Sequence, residues 1–162
     1  MSAVKLGTTG RDASSGQITV PDAPRQVLAG WAGGLHWAVH VGLDRNARLS
    51  TSVTRIWRDG STTFSVPGSG PPDGQLISMW IGREPAIPPL LMLKARPGVM
   101  HATAVLTSRD RRQVVLSSVI EDFGLRFGVV SLPEEDPLAA VEIGCWPGGT
   151  QIVELWRPPV RL

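Results

Sequence analysis

The stretch that decides the fold covers residues 26–42 and reads QVLAGWAGGLHWAVHVG. Gly33-Gly34 divides it into two runs in which apolar side chains recur at every second position, the period of a β-strand. A two-residue Gly-Gly loop suits the positive φ angles of a type I′ turn. The stretch therefore predicts an antiparallel hairpin formed by Gln26 to Ala32 and Leu35 to Gly42.

Pairing outward from this turn assigns every side chain to one of two faces, because the side-chain period of a strand is two. One face is mostly apolar and is expected to look into the core; its pairs are Ala32 with Leu35, Gly30 with Trp37, Leu28 with Val39 and Gln26 with Val41. The other face pairs Trp31 with His36, Ala29 with Ala38 and Val27 with His40. Both histidines are therefore expected outside the main core layer.

Asp59-Gly60 predicts a second hairpin turn, which joins Leu49 to Arg58 with Ser61 to Val66. The predicted core-facing pairs are Trp57 with Thr62, Arg55 with Phe64 and Val53 with Val66. The opposite face is rich in hydroxyl groups and is interrupted by Ile56; its other members are Ser50, Ser52, Thr54, Arg58, Ser61, Thr63 and Ser65. A face of this kind is what an antiparallel sheet exposes to water.

Short apolar runs separated by Gly and Pro continue along the rest of the chain. Eighteen glycines and 14 prolines make up about a fifth of the 162 residues, and this density disfavours long helices. The remaining predicted strands are Gln75 to Ile81, Leu90 to Ala95, Val99 to Thr107, Gln113 to Ile120, Gly124 to Val130, Ala139 to Gly144 and Gln151 to Trp156. This spacing predicts an all-β fold, an antiparallel β-sandwich of about ten to twelve short strands with long Pro/Gly-rich loops, and a jelly roll is one form of it.

Two apolar runs lack the alternation of the other strands. Leu90 to Leu93 and Val114 to Leu116 are continuously apolar. A strand of this kind is covered on both faces. Both runs are therefore expected to be central strands, covered by a second sheet, by the N-terminal arm or by a partner chain.

The composition changes at the start of the first hairpin. Residues 1–25 contain one short apolar pattern, Ile18 to Val20, and end in a Pro-containing stretch. They are predicted to form an extended N-terminal arm that is ordered only where another chain covers it. Residues 26–162 are predicted to form a single β-sandwich domain.

Composition and charge exclude several classes of protein. Hydrophobic residues make up 42% of the chain and charged residues 19%, which argues against wholesale disorder. The single cysteine, Cys145, cannot form an internal disulfide. Gln26 to Leu43 is uncharged and just long enough to span a membrane, but its period of two argues against a transmembrane helix. No signal peptide is recognisable, so a soluble protein is expected, either cytoplasmic or within an assembled particle.

No residue pattern predicts a catalytic, cofactor or metal site. His36 and His40 stand about 13 Å apart on one strand, too far to share a metal ion with His101 as a third ligand. No base or cationic neighbour that would activate Cys145 is recognisable near it in the sequence, so it is expected to be a structural thiol. The carboxylates of Glu121-Asp122 and Glu134 to Asp136 are expected to be solvated.

Tryptophan and arginine are the side chains that could form binding surfaces. Of the six tryptophans, Trp37 and Trp57 lie on predicted core faces, and the others could form an interface or a ligand platform: Trp31, Trp80, Trp146 and Trp156. A phosphate or nucleic-acid surface could be formed by Arg45, Arg48, Arg58, Arg109, Arg111 and Arg112. The net charge is only +2, so nucleic acid is neither required nor excluded as a partner.

Three classes of function fit these features. The first is a non-enzymatic structural protein that acts by self-association, a coat- or shell-type sandwich whose partners are copies of itself. The second is a ligand-binding sandwich, with carbohydrate as the best candidate, which requires a tryptophan flat on the surface among polar side chains. The third is an enzyme on a β scaffold, for which no nucleophile, base and orienting group can be named.

Overall fold

The computed structural model describes residues 24–154, apart from 33, 59, 85–86 and 146. This part of the chain forms twelve strands and contains no helix. The strands are β1 Arg25–Ala32, β2 Leu35–Leu43, β3 Leu49–Trp57, β4 Gly60–Val66, β5 Ile77–Glu84, β6 Ile87–Ala95, β7 Val99–Leu106, β8 Arg111–Gln113, β9 Val115–Leu116, β10 Arg126–Ser131, β11 Leu138–Cys145 and β12 Thr150–Glu154.

The strands form three antiparallel sheets of four strands each. The first sheet has the order β1-β2-β3-β4, the middle sheet β5-β6-β10-β9, and the third sheet β12-β11-β7-β8. Buried side chains of the middle sheet contribute to two separate apolar clusters, one shared with the first sheet and one with the third. The predicted all-β, antiparallel sandwich is confirmed, and it has three layers.

The middle strand β6 explains this layering. Leu91 and Leu93 pack into the cluster shared with the third sheet, whereas Leu90 and Met92 pack into the cluster shared with the first. All four side chains are buried, because successive residues of a strand point to opposite faces. The prediction that this apolar run is a central strand is confirmed.

The same prediction is wrong for the run at Val114 to Leu116. Val114 is buried, but Val115 is 49% exposed and belongs to β9, an edge strand of the middle sheet. The predicted strand from Gln113 to Ile120 is interrupted because the chain crosses here from the third sheet to the middle one. Val114 donates its N–H to the Ala102 carbonyl (2.9 Å) at the crossing point.

The eight strands from β5 to β12 have a recognisable connectivity. In chain order they correspond to strands A, B, C, C′, D, E, F and G, arranged as A-B-E-D in the middle sheet and G-F-C-C′ in the third. This is the strand order of an immunoglobulin-type sandwich rather than of a jelly roll. The first sheet is a simple meander that covers the outer side of the A-B-E-D sheet. Such connectivity describes a fold and does not assign a function.

The first hairpin has the predicted register from the turn as far as Leu28 opposite Val39. Of the two turn residues, the structure describes Gly34, which has a φ of 84°. Beyond Leu28 the prediction is wrong, since Gln26 lies opposite His40 rather than Val41. Val27 is an extra residue at this point, and such a bulge shifts the register by one.

The second hairpin is shifted by two residues from the prediction. Trp57 pairs with Gly60, so the two-residue loop comprises positions 58 and 59. Arg58 has the positive φ (55°) that the first position of a type I′ loop requires. A shift of two keeps every side chain on its predicted face, and Val53 and Arg55 are accordingly buried while Ser61, Thr63 and Ser65 are exposed.

Most of the predicted N-terminal arm and the end of the predicted strand from Gln151 to Trp156 lie outside the described residues. The stretch considered as a membrane span forms β1 and β2. Nowhere in the described part of the chain is there a helix long and apolar enough to cross a bilayer.

Trp37 anchors the first sheet against the middle one. Its side chain is 2% exposed, and its ring lies directly over Gly30 on the neighbouring strand. A Cβ atom added at Gly30 would come within 2.4 Å of that ring, so the absence of a side chain there creates the space that the indole fills. His40, on the same strand, is half-buried on the opposite face.

We therefore expect Trp37→Ala to destabilise the protein by about 3–5 kcal/mol, because it leaves a cavity between two layers. His40→Ala, on the face turned away from the core, should cost less than about 1 kcal/mol. Urea unfolding followed by circular dichroism measures both. Equal losses for the two variants would contradict the facial assignment.

Candidate interaction surface on the first sheet

The outer face of the first sheet, which is the face turned away from the middle sheet, combines apolar and hydroxyl side chains. At one end of this face, a row of paired side chains crosses all four strands, and we call it the Trp31 row. In it Trp31 pairs with His36, His36 with Ile56, and Ile56 with Ser61. Trp31 and Ile56 are both classed as exposed hydrophobic residues. The row therefore presents an aromatic side chain, an imidazole, an aliphatic side chain and a hydroxyl group to the exterior.

Trp31 is the most exposed large apolar side chain described in the structure, at 74%. Its ring centroid lies 4.8 Å from that of His36, with the two planes tilted by 40°. This contact supports one side of the indole and leaves most of its surface accessible. A tryptophan in this position suits a protein interface or a ligand platform.

The next two rows of this face are polar or small. Thr54 and Thr63 pair across β3 and β4, and their hydroxyl oxygens are 3.0 Å apart, within hydrogen-bonding distance. Ser52 and Ser65 form the corresponding pair one row further along. The surface thus changes from apolar at the Trp31 end to hydroxyl-rich toward β4.

The other predicted platform tryptophans differ from Trp31. Trp80 is half-buried, packs against the apolar cluster between the first and middle sheets, and lies 5.9 Å from the Phe64 ring, measured between centroids. It therefore belongs to the interior. Trp146 and Trp156 lie outside the described residues.

The arginines proposed as a phosphate surface are not brought together. Arg45 and Arg48 lie in the turn before β3, and Arg58 follows the opposite end of this nine-residue strand, a separation of about 27 Å at the usual rise. The remaining three, Arg109, Arg111 and Arg112, lie in and before β8 of the third sheet. No single anion site results from these positions.

Two arginines of β8 already have partners. Arg111 forms a bidentate ion pair with Glu142 (2.9 and 3.1 Å), and this pair lowers the pKa of the Glu142 carboxyl group. Arg112 donates to the Ser131 carbonyl oxygen (2.8 Å). Both contacts join strands within the sandwich, so these side chains have structural roles.

Two other arginines bind loop carbonyl groups. Arg96 donates to the carbonyl oxygens of Pro71, Pro72 and Gln75. Arg126 donates to those of Pro97 and Ser117. Carbonyl groups in irregular loops lack a regular β-ladder partner, and a guanidinium group can satisfy several of them at once.

Two buried cations connect the first and middle sheets. Arg55 of β3 is 1% exposed; it donates to the Pro88 carbonyl (3.2 Å) of β6, and its guanidinium carbon lies 4.4 Å from the centre of the Phe64 ring. Lys94 of β6 is 3% exposed and reaches in the opposite direction. The first sheet therefore contributes Arg55, which contacts the middle sheet, and the middle sheet contributes Lys94, which contacts the end of β4 in the first sheet.

The Lys94 ammonium group is surrounded by the chain at the end of β4. It donates to the carbonyl oxygens of Val66 (3.5 Å), Pro67 (3.2 Å) and Gly68, so three acceptors face a group with three donors. Burial lowers its pKa to about 8. This role is not visible in the sequence, because a single lysine at the end of an apolar run does not indicate where its ammonium group lies.

Two concave regions lie away from the Trp31 row. A cavity of about 90 Å³ beside Lys94 is lined by Trp80 and Met92, among others, and is small compared with ligand pockets of about 300–1,000 Å³. A groove of about 380 Å³ lies where β8 leaves β7, with the exposed side chains of Met100 and Val115 on its walls. No pattern in the sequence indicates this groove.

The residues considered for catalysis and metal binding are dispersed. His36 and His40 lie in the first sheet and His101 in the third, and no three His, Cys, Asp or Glu side chains of the described residues are grouped to hold a metal ion. Cys145 packs against the apolar cluster of the sandwich. Asp136 accepts hydrogen bonds from Ser108 and Thr107, which lower its pKa.

Comparison of the chain with protein-family models, with curated proteins and with solved structures gives no match in any of the three. The function is therefore inferred from the surface described above.

Lys94 gives the stability a predictable dependence on pH. Its pKa is about 8 in the folded protein and close to the ordinary 10.5 when the chain is unfolded. Between these values the unfolded chain binds more protons, so the free energy of unfolding should rise with pH through Lys94. Well below pH 8, Lys94 is protonated in both the folded and the unfolded protein, so it adds no pH dependence to the free energy of unfolding.

The measurement is urea unfolding at several pH values, with Lys94→Met as the comparison. The difference in unfolding free energy between the native protein and the variant should increase from pH 8 to pH 10. A difference that stays constant would show that Lys94 titrates normally. Because the chain contains only one other lysine, Lys5, NMR of the side-chain CH₂ groups can follow the Lys94 titration directly.

Proposed function

We propose that this protein is a non-enzymatic structural subunit that associates with copies of itself, as in a coat or shell. The observation that carries the proposal is the exposure of Trp31 at the end of the row that contains His36 and Ile56. Tryptophan is enriched among the residues that dominate binding energy at protein interfaces. An indole exposed in this way on a rigid sheet is well placed to bury apolar area against a second copy.

The opposite side of the molecule also supports self-association. Ile152, on the third sheet, is 65% exposed and pairs with Glu142, which forms the ion pair with Arg111. Exposed apolar side chains therefore occur on both outer layers of the three-layer structure. A subunit with more than one contact surface can build a closed assembly larger than a dimer.

Carbohydrate binding is the second candidate function, and the exposure of the Trp31 indole beside the His36 imidazole favours it. An indole on a flat sheet can stack against a sugar ring, and the neighbouring His36 imidazole could exchange hydrogen bonds with the sugar hydroxyls. This hypothesis shares Trp31 with the first, so the two are separated by the identity of the partner.

The self-association proposal predicts a concentration-dependent increase in mass that requires Trp31. Sedimentation velocity of the full chain should show oligomers, and Trp31→Ala should weaken association by about tenfold or more. His40→Ala, on the same face but outside the Trp31 row, is the matched control and should leave association unchanged. A monomer at all concentrations up to the millimolar range would refute self-association.

The carbohydrate hypothesis predicts that a sugar changes the fluorescence of Trp31. A glycan array identifies candidate sugars, and titration with each of them should quench emission in the native protein and not in Trp31→Phe, which removes the indole and retains an aromatic ring. The signal from the other tryptophans serves as the internal reference. An array without binding would exclude this second function.

A further inference from the structure

We propose that β4 of the first sheet pairs in antiparallel orientation with β4 of a second copy, so that two first sheets join into one continuous sheet. This inference rests on the proposed self-association and names one of the contacts that would produce it. The proposed occupant of the edge is a second copy of this chain, because β4 is complementary to itself.

Among the edge strands of the three sheets, β4 lacks the features that usually prevent pairing. Edges are normally protected by charges, prolines, bulges or shortness. β1 contains a bulge, β5 ends in the charged residues Arg83 and Glu84, β8 has three residues and two of them are arginines, and β9 has two residues. β12 has five residues, and β1 and β12 both adjoin parts of the chain outside the described residues.

By contrast, β4 has seven residues, GSTTFSV, with no charge and no proline. Its register with β3 is continuous from Gly60 to Val66. In the described structure it pairs with β3 alone. It is therefore a regular, uncharged edge next to the hydroxyl-rich part of the outer face.

The register also shows which backbone groups of β4 are available. A two-residue hairpin loop is closed by a hydrogen-bonded pair, here Trp57 with Gly60, and the pairs then alternate along the ladder. Ser61, Thr63 and Ser65 consequently form the non-hydrogen-bonded pairs with β3, and their N–H and C=O groups point outward. The short distance between the Thr54 and Thr63 hydroxyl oxygens agrees with this assignment, since side chains are closer in such pairs.

A two-fold axis beside Thr63 makes this edge complementary to itself. Thr63 then faces Thr63 of the second copy, and Ser61 faces Ser65 of the second copy at each end. These three pairs use the outward backbone groups of both strands and give about six hydrogen bonds. They also place hydroxyl side chains opposite hydroxyl side chains, a favourable cross-strand combination.

Charge does not oppose this arrangement. The strand itself is uncharged, and Arg58, the nearest described cation before β4, lies in the turn beyond the Gly60 end of the strand. The two Arg58 side chains are therefore at opposite ends of the paired strands. A like-charge contact, which would be destabilising across a strand pair, does not arise.

The contact is expected to be weak by itself. A strand pair of this length buries less than the roughly 800 Å² per partner of a standard interface. The edge contact therefore fits a subunit that uses several weak contacts, and the Trp31 end of the same sheet would supply another. A peptide strand from a different protein would fit the same edge, but in that case mixing Thr63→Lys with Thr63→Glu would not restore association.

The test introduces charges at the position next to the two-fold axis. Thr63→Lys and Thr63→Glu each place like charges opposite one another, so each variant alone should associate about tenfold or more weakly than the native protein in sedimentation velocity. An equimolar mixture of the two should recover association, because lysine then faces glutamate. Ser50→Lys adds a charge on the same face but on β3, and it should have no effect.

The outcomes separate the two proposals. Loss in each single variant with recovery in the mixture supports the β4 contact. Association that is unaffected by either Thr63 variant but weakened by Trp31→Ala overturns the edge contact and leaves self-association intact. A native protein that remains monomeric overturns both proposals. Hydrogen exchange provides a second readout, since the Ser61, Thr63 and Ser65 amides should become more protected as concentration rises, and unchanged exchange would overturn the edge contact.

Discussion

The burial of β6 on both faces is the constraint on which the rest of the structure depends. Leu91 and Leu93 require a sheet on one side, and Leu90 and Met92 require another on the opposite side. A two-layer sandwich would leave one of these pairs in water, at a cost of about 1.5–3 kcal/mol for each large side chain. The first sheet removes this cost by covering the outer face of the middle sheet, and its own apolar face is buried in the same contact.

Four cationic side chains donate hydrogen bonds to carbonyl groups in the proline-containing segments of the chain. Lys94, Arg96 and Arg126 donate to carbonyl groups of Pro-containing loops, and Arg55 donates to the Pro88 carbonyl within β6. Where such a carbonyl group is buried, leaving it unsatisfied would cost up to about 1–3 kcal/mol. The abundance of arginine therefore has a structural explanation at these positions, because one guanidinium group reaches several acceptors. Lys94 does the same with a compact group, and its lowered pKa reflects the burial that this contact requires.

Local patterns were sufficient to predict most of the strands and, except beyond the bulge at Val27, the faces of both hairpins. Alternation identified Trp37 and Val39 as core residues, and Gly33-Gly34 defined the first register near the turn. The two-residue shift of the second turn was not predictable from alternation, because a shift of two leaves every side chain on the same face, and no residue type at Val27 marks the bulge there. The same applies to the third layer: an apolar run indicates that a strand is covered on both faces, but it does not identify which segment covers it.

The candidate surface was predictable only in part. The two-residue period placed Trp31 and both histidines outside the core, which the structure bears out. It did not distinguish Trp80, whose burial follows from its contact with the cluster between the first and middle sheets. The role of Lys94 was also beyond prediction, since the carbonyl groups it binds lie 26 to 28 positions earlier in the chain.

The continuity of the first sheet has a consequence for synthesis on the ribosome. Strands β1 to β4 follow one another without interruption, so their ladder can close before β6 has been made, and the N-terminal part of a chain generally folds first. Until β6 arrives, the inner apolar face of this meander lacks the middle sheet, which is its partner among the described residues. We therefore expect this face of the nascent protein to be open to chaperones until β6 emerges.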